Sequence, residues 1–539
     1  MKPWWMVALL TASSPFTDIT GESGIAFRHE NSPTPEKYLI ETMGGGVAVF
    51  DFDNDGLLDL FFTNGAKIAP PAKPDKREAK YWNRLYRNLG RNRFEDVTEK
   101  TGLAGGYSNY SMGVAAGDFD NDGFVDLYVT AYGMATLYRN LGNNAFEDVT
   151  AKSGAGVTGW STSAGFFDYD NDGDLDLFVG RYLGWDFGKN LYCGERLPGR
   201  RAYCHPDNFK GVTNVLLRNN GDGTFADVSK ESGIANPKGK TLGVAFADYD
   251  NDGLTDVYVA NDSVQCFLYK NLGKGKFRDE SLVAGVGFNE DGRTFAGMGA
   301  DFADYDNDGN ADIIVTNLSN EIYRLFRNEG DGMFTDIVAK SGLGQATLLY
   351  SGWGVKFFDF DNDGWKDLFV AQGHVLDTIE MTAPHLKYLQ PPLLLRNEKG
   401  RFTAAGPFPK AWAGRAAAFG DLDNDGDVDV VVANVGQPAV VFRNDAGAKS
   451  AWLTLKLVGT KSNRDGIGAV VKVTGESGLV QHFMVNTAAS YQSANDPRVH
   501  IGMGTDSTAK SIEIRWPTGL VQKFENVKVR QQLTVKEGS

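Results

Sequence analysis

A nine-residue pattern, Asp-x-Asp-Asn-Asp-Gly-x-x-Asp, occurs seven times in the chain, starting at Asp51, Asp118, Asp168, Asp248, Asp304, Asp359 and Asp421. Repetition at separations of 50 to 80 residues points to a series of supersecondary units, each too small to bury its own apolar surface and dependent on its neighbours. Other landmarks recur around each copy. Upstream lies a small, Gly-rich apolar segment, such as Gly113-Val114-Ala115-Ala116, and downstream a continuous apolar run, such as Leu127-Tyr128-Val129 or Leu368-Phe369-Val370. An Arg/Lys-Asn pair follows at Asn88, Asn140, Asn219, Asn271, Asn328, Asn397 and Asn444, and then an aromatic-x-Asp element at Phe94, Phe146, Phe225, Phe277 and Phe334. Short β-rich runs between Gly, Asn and Asp read as strands joined by tight turns, and no segment has sustained helical periodicity.

Four strands per unit, seven times over, predict an all-β chain: a seven-bladed β-propeller over residues 15–446, followed by a small β-rich, sandwich-like domain over residues 450–537. The seventh unit ends at Arg443-Asn444 without an aromatic-x-Asp strand, whereas Phe16-Thr17-Asp18-Ile19-Thr20 stands alone near the start. The N-terminal strand is therefore expected to complete the last blade and leave no open sheet edge.

The aspartates carry the chemistry. Carboxylates at positions 1, 3, 5 and 9 of a tight loop, with the carbonyl of position 7, turn several hard oxygens toward one point, which suits Ca²⁺. The expected donors are Asp51, Asp53, Asp55 and Asp59 with Leu57 O; Asp118, Asp120, Asp122 and Asp126 with Phe124 O; and Asp168, Asp170, Asp172 and Asp176 with Asp174 O. In the later copies they are Asp248, Asp250, Asp252 and Asp256 with Leu254 O, and Asp304, Asp306, Asp308 and Asp312 with Asn310 O. The last two copies offer Asp359, Asp361, Asp363 and Asp367 with Trp365 O, and Asp421, Asp423, Asp425 and Asp429 with Asp427 O. An EF-hand needs a bidentate Glu at position 12; here that position is Phe62 or a valine in all seven copies. Up to seven structural calcium ions are expected.

The loops also explain the charge. The net charge is −15, yet positions 1, 3, 5 and 9 of the loops hold 28 of the 69 carboxylates, so elsewhere the 54 basic residues are in excess. Acidity of this kind favours cations and disfavours nucleic acid. No apolar run is long enough to span a bilayer. Lys2, the apolar stretch from Trp4 to Leu10 and the small residues Thr11 to Ser14 follow the order of an export leader, expected over residues 1–14. Cys193 and Cys204 are expected to form a local disulfide, with Cys266 left as a free thiol.

Over roughly residues 15–446 these motifs resemble integrin-α-like propellers built from FG-GAP/VCBS repeats, a resemblance that implies structural Ca²⁺ held in the Asp loops. Farther on, Ser490-Tyr491-Gln492-Ser493, Val499-His500-Ile501-Gly502-Met503-Gly504 and Arg515-Trp516-Pro517-Thr518-Gly519 resemble the ASPIC/UnbV module. Together the two parts are similar to the cartilage acidic protein family and its bacterial relatives, which are mostly exported. The sixth unit departs from the pattern with Phe402-Thr403-Ala404, and Ile501 and Met503 replace the module's usual Phe and Leu.

No catalytic constellation stands out. Gly154-x-Gly156-x-x-Gly159 lacks the βαβ context of a dinucleotide site; the six histidines are scattered, and no Gly-x-Ser-x-Gly motif occurs. The leading expectation is an exported (secreted, periplasmic or cell-surface) calcium-binding module that meets an extracellular protein or glycan through loops. The most individual loops are residues 66–83, 181–213 and 372–394. An enzyme with a site in the central channel and a passive matrix or cell-surface component are the alternatives.

Overall fold

The computed structural model describes residues 14–68, 73–106 and 108–539. The leader expected over residues 1–14 lies, but for Ser14, outside the described residues, as do residues 69–72 of the first insertion. Seven four-stranded antiparallel units follow one another. In the first, Val47–Phe50, Asp59–Phe62, Arg84–Asn88 and Phe94–Asp96 pair in order. Its second strand is buried at every residue, as a run apolar on both faces must be when it is covered by neighbouring units. The sixth unit, despite its missing aspartate, pairs Phe402–Ala404 in the same register.

The seam closes as expected. Phe16, Thr17 and Asp18 pair with Asn444, Arg443 and Phe442, so the seventh unit takes its outermost strand from the other end of the chain. The first strand of each unit packs against that of the next, and the seventh against the first. Such close approach demands small residues: a Cβ on Gly299 would lie 1.9 Å from Trp353 O, and one on Gly354 would lie 2.4 Å from Ala417 N.

The asparagine of each Arg/Lys-Asn pair proves to be a latch between units. Asn140 Nδ2 donates to Val125 O of its own loop and, at 2.8 Å, to Phe52 O of the preceding loop. Asn219 reaches Phe119 O, Asn271 reaches Tyr169 O, Asn328 reaches Tyr249 O, Asn397 reaches Tyr305 O and Asn444 reaches Phe360 O, all at 2.7 to 2.8 Å. Asn88 closes the series by donating to Leu422 O of the seventh loop. The chain of donors thus returns to its start after seven units, and all seven asparagines are buried.

The C-terminal domain is a two-sheet sandwich. One sheet sets Ala451–Val458 between Val499–Gly504 and Gln531–Lys536; the other orders Val480–Met484, Val470–Gly475, Thr508–Arg515 and Val521–Lys528. Leu453, Leu455, Val471, Val473, Ile512, Ile514 and Trp516 fill the space between them. Ile501 and Met503 are buried in the same core.

The two domains are not independent, which the sequence did not reveal. The segment from Thr487 to Asn495 leaves the sandwich and enters the channel of the propeller. Ser493 and Ala494 pair in parallel with Val47 and Ala48 of the first unit. Val114 N of the second unit donates to Gln492 O, and Gln492 N donates to Ser163 Oγ of the third. Ala488 packs with Phe246 of the fourth, and Ser490 bridges Ala300 of the fifth. Ser490 Oγ accepts from Val355 N of the sixth and donates to Ala417 O of the seventh, both at 3.0 Å. The channel that the sequence left open for an enzymatic site is therefore occupied by the chain itself.

Asn328→Ala will strand two buried carbonyls, Tyr249 O and Ala311 O, at a cost of about 2–4 kcal/mol, read as a lowered urea midpoint. The exposed Lys230→Ala, in the short helix Ser229–Ser232, will leave the midpoint within about 0.5 kcal/mol of wild type.

Candidate functional site

Each Asp loop joins the first strand of a unit to its second, so all seven lie on one rim. Position 1 winds the loop: Asp51 Oδ1 accepts from Asp55 N and Oδ2 from Gly56 N, at 3.1 and 3.0 Å. Position 5 fixes position 7, as Leu57 N donates to Asp55 Oδ1; Phe124, Asp174, Leu254, Asn310, Trp365 and Asp427 repeat this contact. Position 9 is the keystone. Asp59 Oδ2 accepts from Phe52 N at 2.9 Å and Oδ1 from Asn88 N at 2.7 Å, so it ties the loop to the third strand. Asp126, Asp176, Asp256, Asp312, Asp367 and Asp429 repeat both bonds.

Position 3 differs from the others. Oδ1 of Asp53, Asp120, Asp170, Asp250, Asp306, Asp361 and Asp423 is buried and has no hydrogen-bond partner. Seven equivalent orphaned oxygens mark seven equivalent gaps in hydrogen bonding, and each such group is costly unless something positive meets it. In five loops donor oxygens of three aspartates lie within 4.8 Å of one another: Asp51, Asp53 and Asp59; Asp118, Asp120 and Asp122; Asp168, Asp170 and Asp176; Asp248, Asp250 and Asp252; Asp304, Asp306 and Asp308. In these five loops positions 1 and 3 converge, joined by position 9 in two loops and by position 5 in three. Side chains of Asp174 and Asp427 turn away, accepting from Asn121 and Asn362 of neighbouring loops.

The electrostatics follow from this crowding. Burial, with the neighbouring carboxylates adding to it, pushes Asp59 and Asp118 up to about 8, and Asp168 and Asp421 up to about 7. A cation among them reverses that preference and holds them ionised. The basic residue before five of the seven latch asparagines, whose role the sequence left unread, supplies part of the charge. Arg87 Nε stands 2.7 Å from Asp53 Oδ2, Arg327 Nε 2.7 Å from Asp306 Oδ2 and Arg396 Nη2 2.6 Å from Asp361 Oδ2. Arg139 and Lys270 pair in the same way with Asp120 and Asp250.

Position 4 links the loops laterally. These asparagines hold left-handed φ angles of 57 to 58°, a conformation that asparagine tolerates better than most residues. Asn54 Nδ2 donates to Gly123 O, Asn121 to Gly173 O, Asn171 to Gly253 O, Asn307 to Gly364 O, Asn362 to Gly426 O and Asn424 to Gly56 O.

The sandwich domain sits over this rim. Asp465 Oδ2 accepts from Asp118 N, Arg515 Nη2 meets Asp248 Oδ2 at 2.7 Å, and Arg498 Nη2 donates to Asp421 O. Two of the histidines that look scattered in sequence converge here: His482 Nδ1 lies 3.1 Å from Asp304 Oδ2, and His500 Nε2 lies 2.7 Å from Asn362 Oδ1.

The three insertions all join second to third strands, which puts them on the opposite rim. Cys193 and Cys204 are bonded, closing the loop within residues 181–213, and Cys266 is a buried thiol. The insertions meet one another and residues 28–43, a segment sequence reasoning passed over. Lys37 pairs with Asp377, Asn190 Nδ2 donates to Glu36 O, and Tyr203 OH donates to the buried Glu41 carboxylate at 3.0 Å. Beneath this cap Tyr38, Ile40, Trp160, Tyr182, Trp185 and Trp353 pack with Tyr491 at the tip of the channel segment. Gly159 lies in the strand Thr158–Phe167, which runs into the third Asp loop.

FG-GAP-like repeats match residues 51–129, 118–179, 207–259, 248–315 and 304–370, and the ASPIC and UnbV description matches residues 459–539. Cartilage acidic protein 1 of Homo sapiens is 25% identical over 488 residues, covering 88% of this chain and 60% of that protein. Its counterpart in Xenopus tropicalis is 24% identical over 492 residues, covering 88% and 61%. The chain thus spans about three fifths of the length of these relatives. Among solved structures, an Agrocybe aegerita lectin recognising non-reducing terminal N-acetylglucosamine superposes with a TM-score of 0.40 at 18% identity, over 74% of this chain and 87% of that one. YCF48 bound to D1 peptide gives 0.41 at 8% identity, over 75% and 93%.

Reduction of the Cys193–Cys204 bridge will loosen the loop and speed tryptic cleavage at Arg196, Arg200 and Arg201 while leaving the ring folded. Mass spectrometry of a limited digest should show cleavage there in the reduced protein first.

Proposed function

Because the chain belongs to the FG-GAP-like repeat family and ends in an ASPIC and UnbV domain, we propose that it is an exported, calcium-loaded β-propeller that binds a protein or glycan partner through the cap of insertions. The observation that carries the calcium reading is the buried, unpartnered Oδ1 of position 3, repeated in every loop. Oxygens within 4.8 Å of one another suit an ion that sits about 2.3–2.6 Å from each of its ligands. Asp-only donors at positions 1, 3, 5 and 9 exclude the soft-metal alternatives on donor chemistry. The residues present therefore fit Ca²⁺, whose charge would offset the mutual repulsion of the aspartates and stiffen the rim on which the sandwich rests.

Export agrees with weak extracellular calcium sites, with the disulfide and with the relatedness to cartilage acidic protein 1. The choice of binding face rests on topology. One rim is covered by the sandwich and the channel is filled, which leaves the cap as the individual surface of a rigid scaffold.

Calcium bound only by the folded state stabilises it by linkage. At about ten times Kd each site contributes about 1.4 kcal/mol, and seven sites together about 10 kcal/mol. Differential scanning calorimetry should therefore show a large fall in Tm in EDTA and recovery on adding Ca²⁺, with elemental analysis giving several calcium ions per chain. An EDTA-treated protein that melts unchanged, without bound calcium, would overturn the calcium reading. For the binding face, partners captured from a secreted or periplasmic fraction should be lost when residues 372–394 are replaced by a short Gly-Ser turn. Retention of all partners would place binding elsewhere.

A further inference from the structure

The disulfide-closed loop on the cap carries a surface that structural needs do not explain. Its base is fixed: Cys204 is buried, Tyr203 is anchored to Glu41, and Cys193 and Gly194 pair with Ala202 and Arg201. It carries three guanidiniums within six residues, Arg196 exposed and Arg200 and Arg201 half-buried. Arg196 and Arg201 lie against the ring of Tyr192, at 5.7 and 5.0 Å from its centroid, and the Tyr192 hydroxyl donates to Glu195 O. Arg200 Nη1 reaches Met381 O at 3.5 Å, which joins the loop to the 372–394 insertion.

None of the three guanidiniums has a carboxylate within ion-pair distance among the described residues. Other exposed guanidiniums of this acidic chain are neutralised by a carboxylate two residues away, as Arg77 is by Asp75, Arg278 by Glu280 and Arg443 by Asp445. Aromatic stacking holds the charges in place without neutralising them, and the disulfide limits the ordering cost of any contact they make. Large apolar side chains border them: Leu197 is 60% exposed, Met381 56% and Tyr192 45%. Arg, Tyr and Met with exposed leucine form the composition of a protein-binding patch.

We infer that Tyr192, Arg196, Leu197, Arg200, Arg201 and Met381 form a docking surface for an acidic segment of a protein partner, one that alternates carboxylates with apolar side chains. Such a segment offers bidentate acceptors to the guanidiniums and buries Leu197 and Met381 at once. A sulfated polysaccharide offers the acceptors but no apolar surface, and the Tyr192 ring already carries guanidiniums, so it is not free to stack on a sugar. The inference rests on the cap being the binding face and narrows it to one patch and one partner class.

The test is fluorescence anisotropy with a labelled peptide of alternating glutamate and leucine. The same peptide with lysine for glutamate, heparin, and vesicles of phosphatidylserine in phosphatidylcholine serve as competing probes. The Glu-Leu peptide should bind, its affinity should fall with added salt, and the lysine peptide should not bind. The combined variant Arg196→Glu, Arg200→Glu, Arg201→Glu, with wild-type Tm, should lose about tenfold or more in affinity, and Leu197→Ser should weaken binding further. No binding by the wild type, or equal binding by the combined variant, overturns the inference. Stronger binding of heparin or of the vesicles, lost in the combined variant, replaces the protein segment with a glycan or a bilayer and overturns it as well. Peptide binding that survives the combined variant but disappears on replacing residues 372–394 overturns this patch and leaves the cap as the binding face.

Discussion

One side-chain amide per unit holds the ring together. The latch asparagine donates to the loop before it in all seven units, and in six of them also to its own Asp loop, so every unit is gripped by the next through buried hydrogen bonds. Its backbone N–H donates to the ninth aspartate, as Asn88 N does to Asp59, which places loop, third strand and neighbouring unit in one network. A buried carbonyl left without such a donor costs more than a made bond returns. The interaction therefore acts less as added stability than as a condition on packing: units must sit where the amide reaches both carbonyls. The Asp loops inherit their positions from it, and so does the rim on which the sandwich rests.

Much of this was legible because repetition turns weak local signals into strong ones. Seven Asp motifs, the apolar second strands and the stray Phe16-Thr17-Asp18 led to the ring and its seam, and the pairing of Phe16 with Asn444 bears that out. The Arg/Lys-Asn pairs were visible too, but as landmarks only. Their use depends on carbonyls of another unit, such as Phe52 O for Asn140, and a carbonyl has no residue type to recognise. For the same reason the channel segment was invisible. Ser490 and Gln492 hold left-handed φ angles of 78 and 55°, and their partners are mostly backbone groups of inner strands scattered along the chain. The histidines show the complementary limit: His482 and His500 lie far from any aspartate motif in sequence, yet both face Asp loops.

The molecule has two unlike rims on one scaffold. On one, carboxylates converge and are overlaid by the sandwich through Asp465, Arg498 and Arg515. On the other, insertions of unrelated sequence weld into a cap over Trp160, Trp353 and Tyr491. The segment from Thr487 to Asn495 runs between them, so its tip touches the underside of the cap while its base belongs to the domain over the Asp loops. The repeated loops and the insertions are thus separated by the thickness of the ring, and variation in the cap leaves the repeated loops untouched.

The seam gives the chain a history as well as a shape. Thr17 and Asp445, bonded across it, are 428 residues apart, and the channel segment lies later still. During synthesis the strand Phe16–Asp18 has no partner until the end of the seventh unit has appeared, and the seven inner strands have nothing to surround until Ser490 arrives. Contacts of such long range are slow to form. Until the end of the seventh unit has emerged, the nascent polypeptide cannot close its ring, and the series of units keeps an unpaired strand edge at each end.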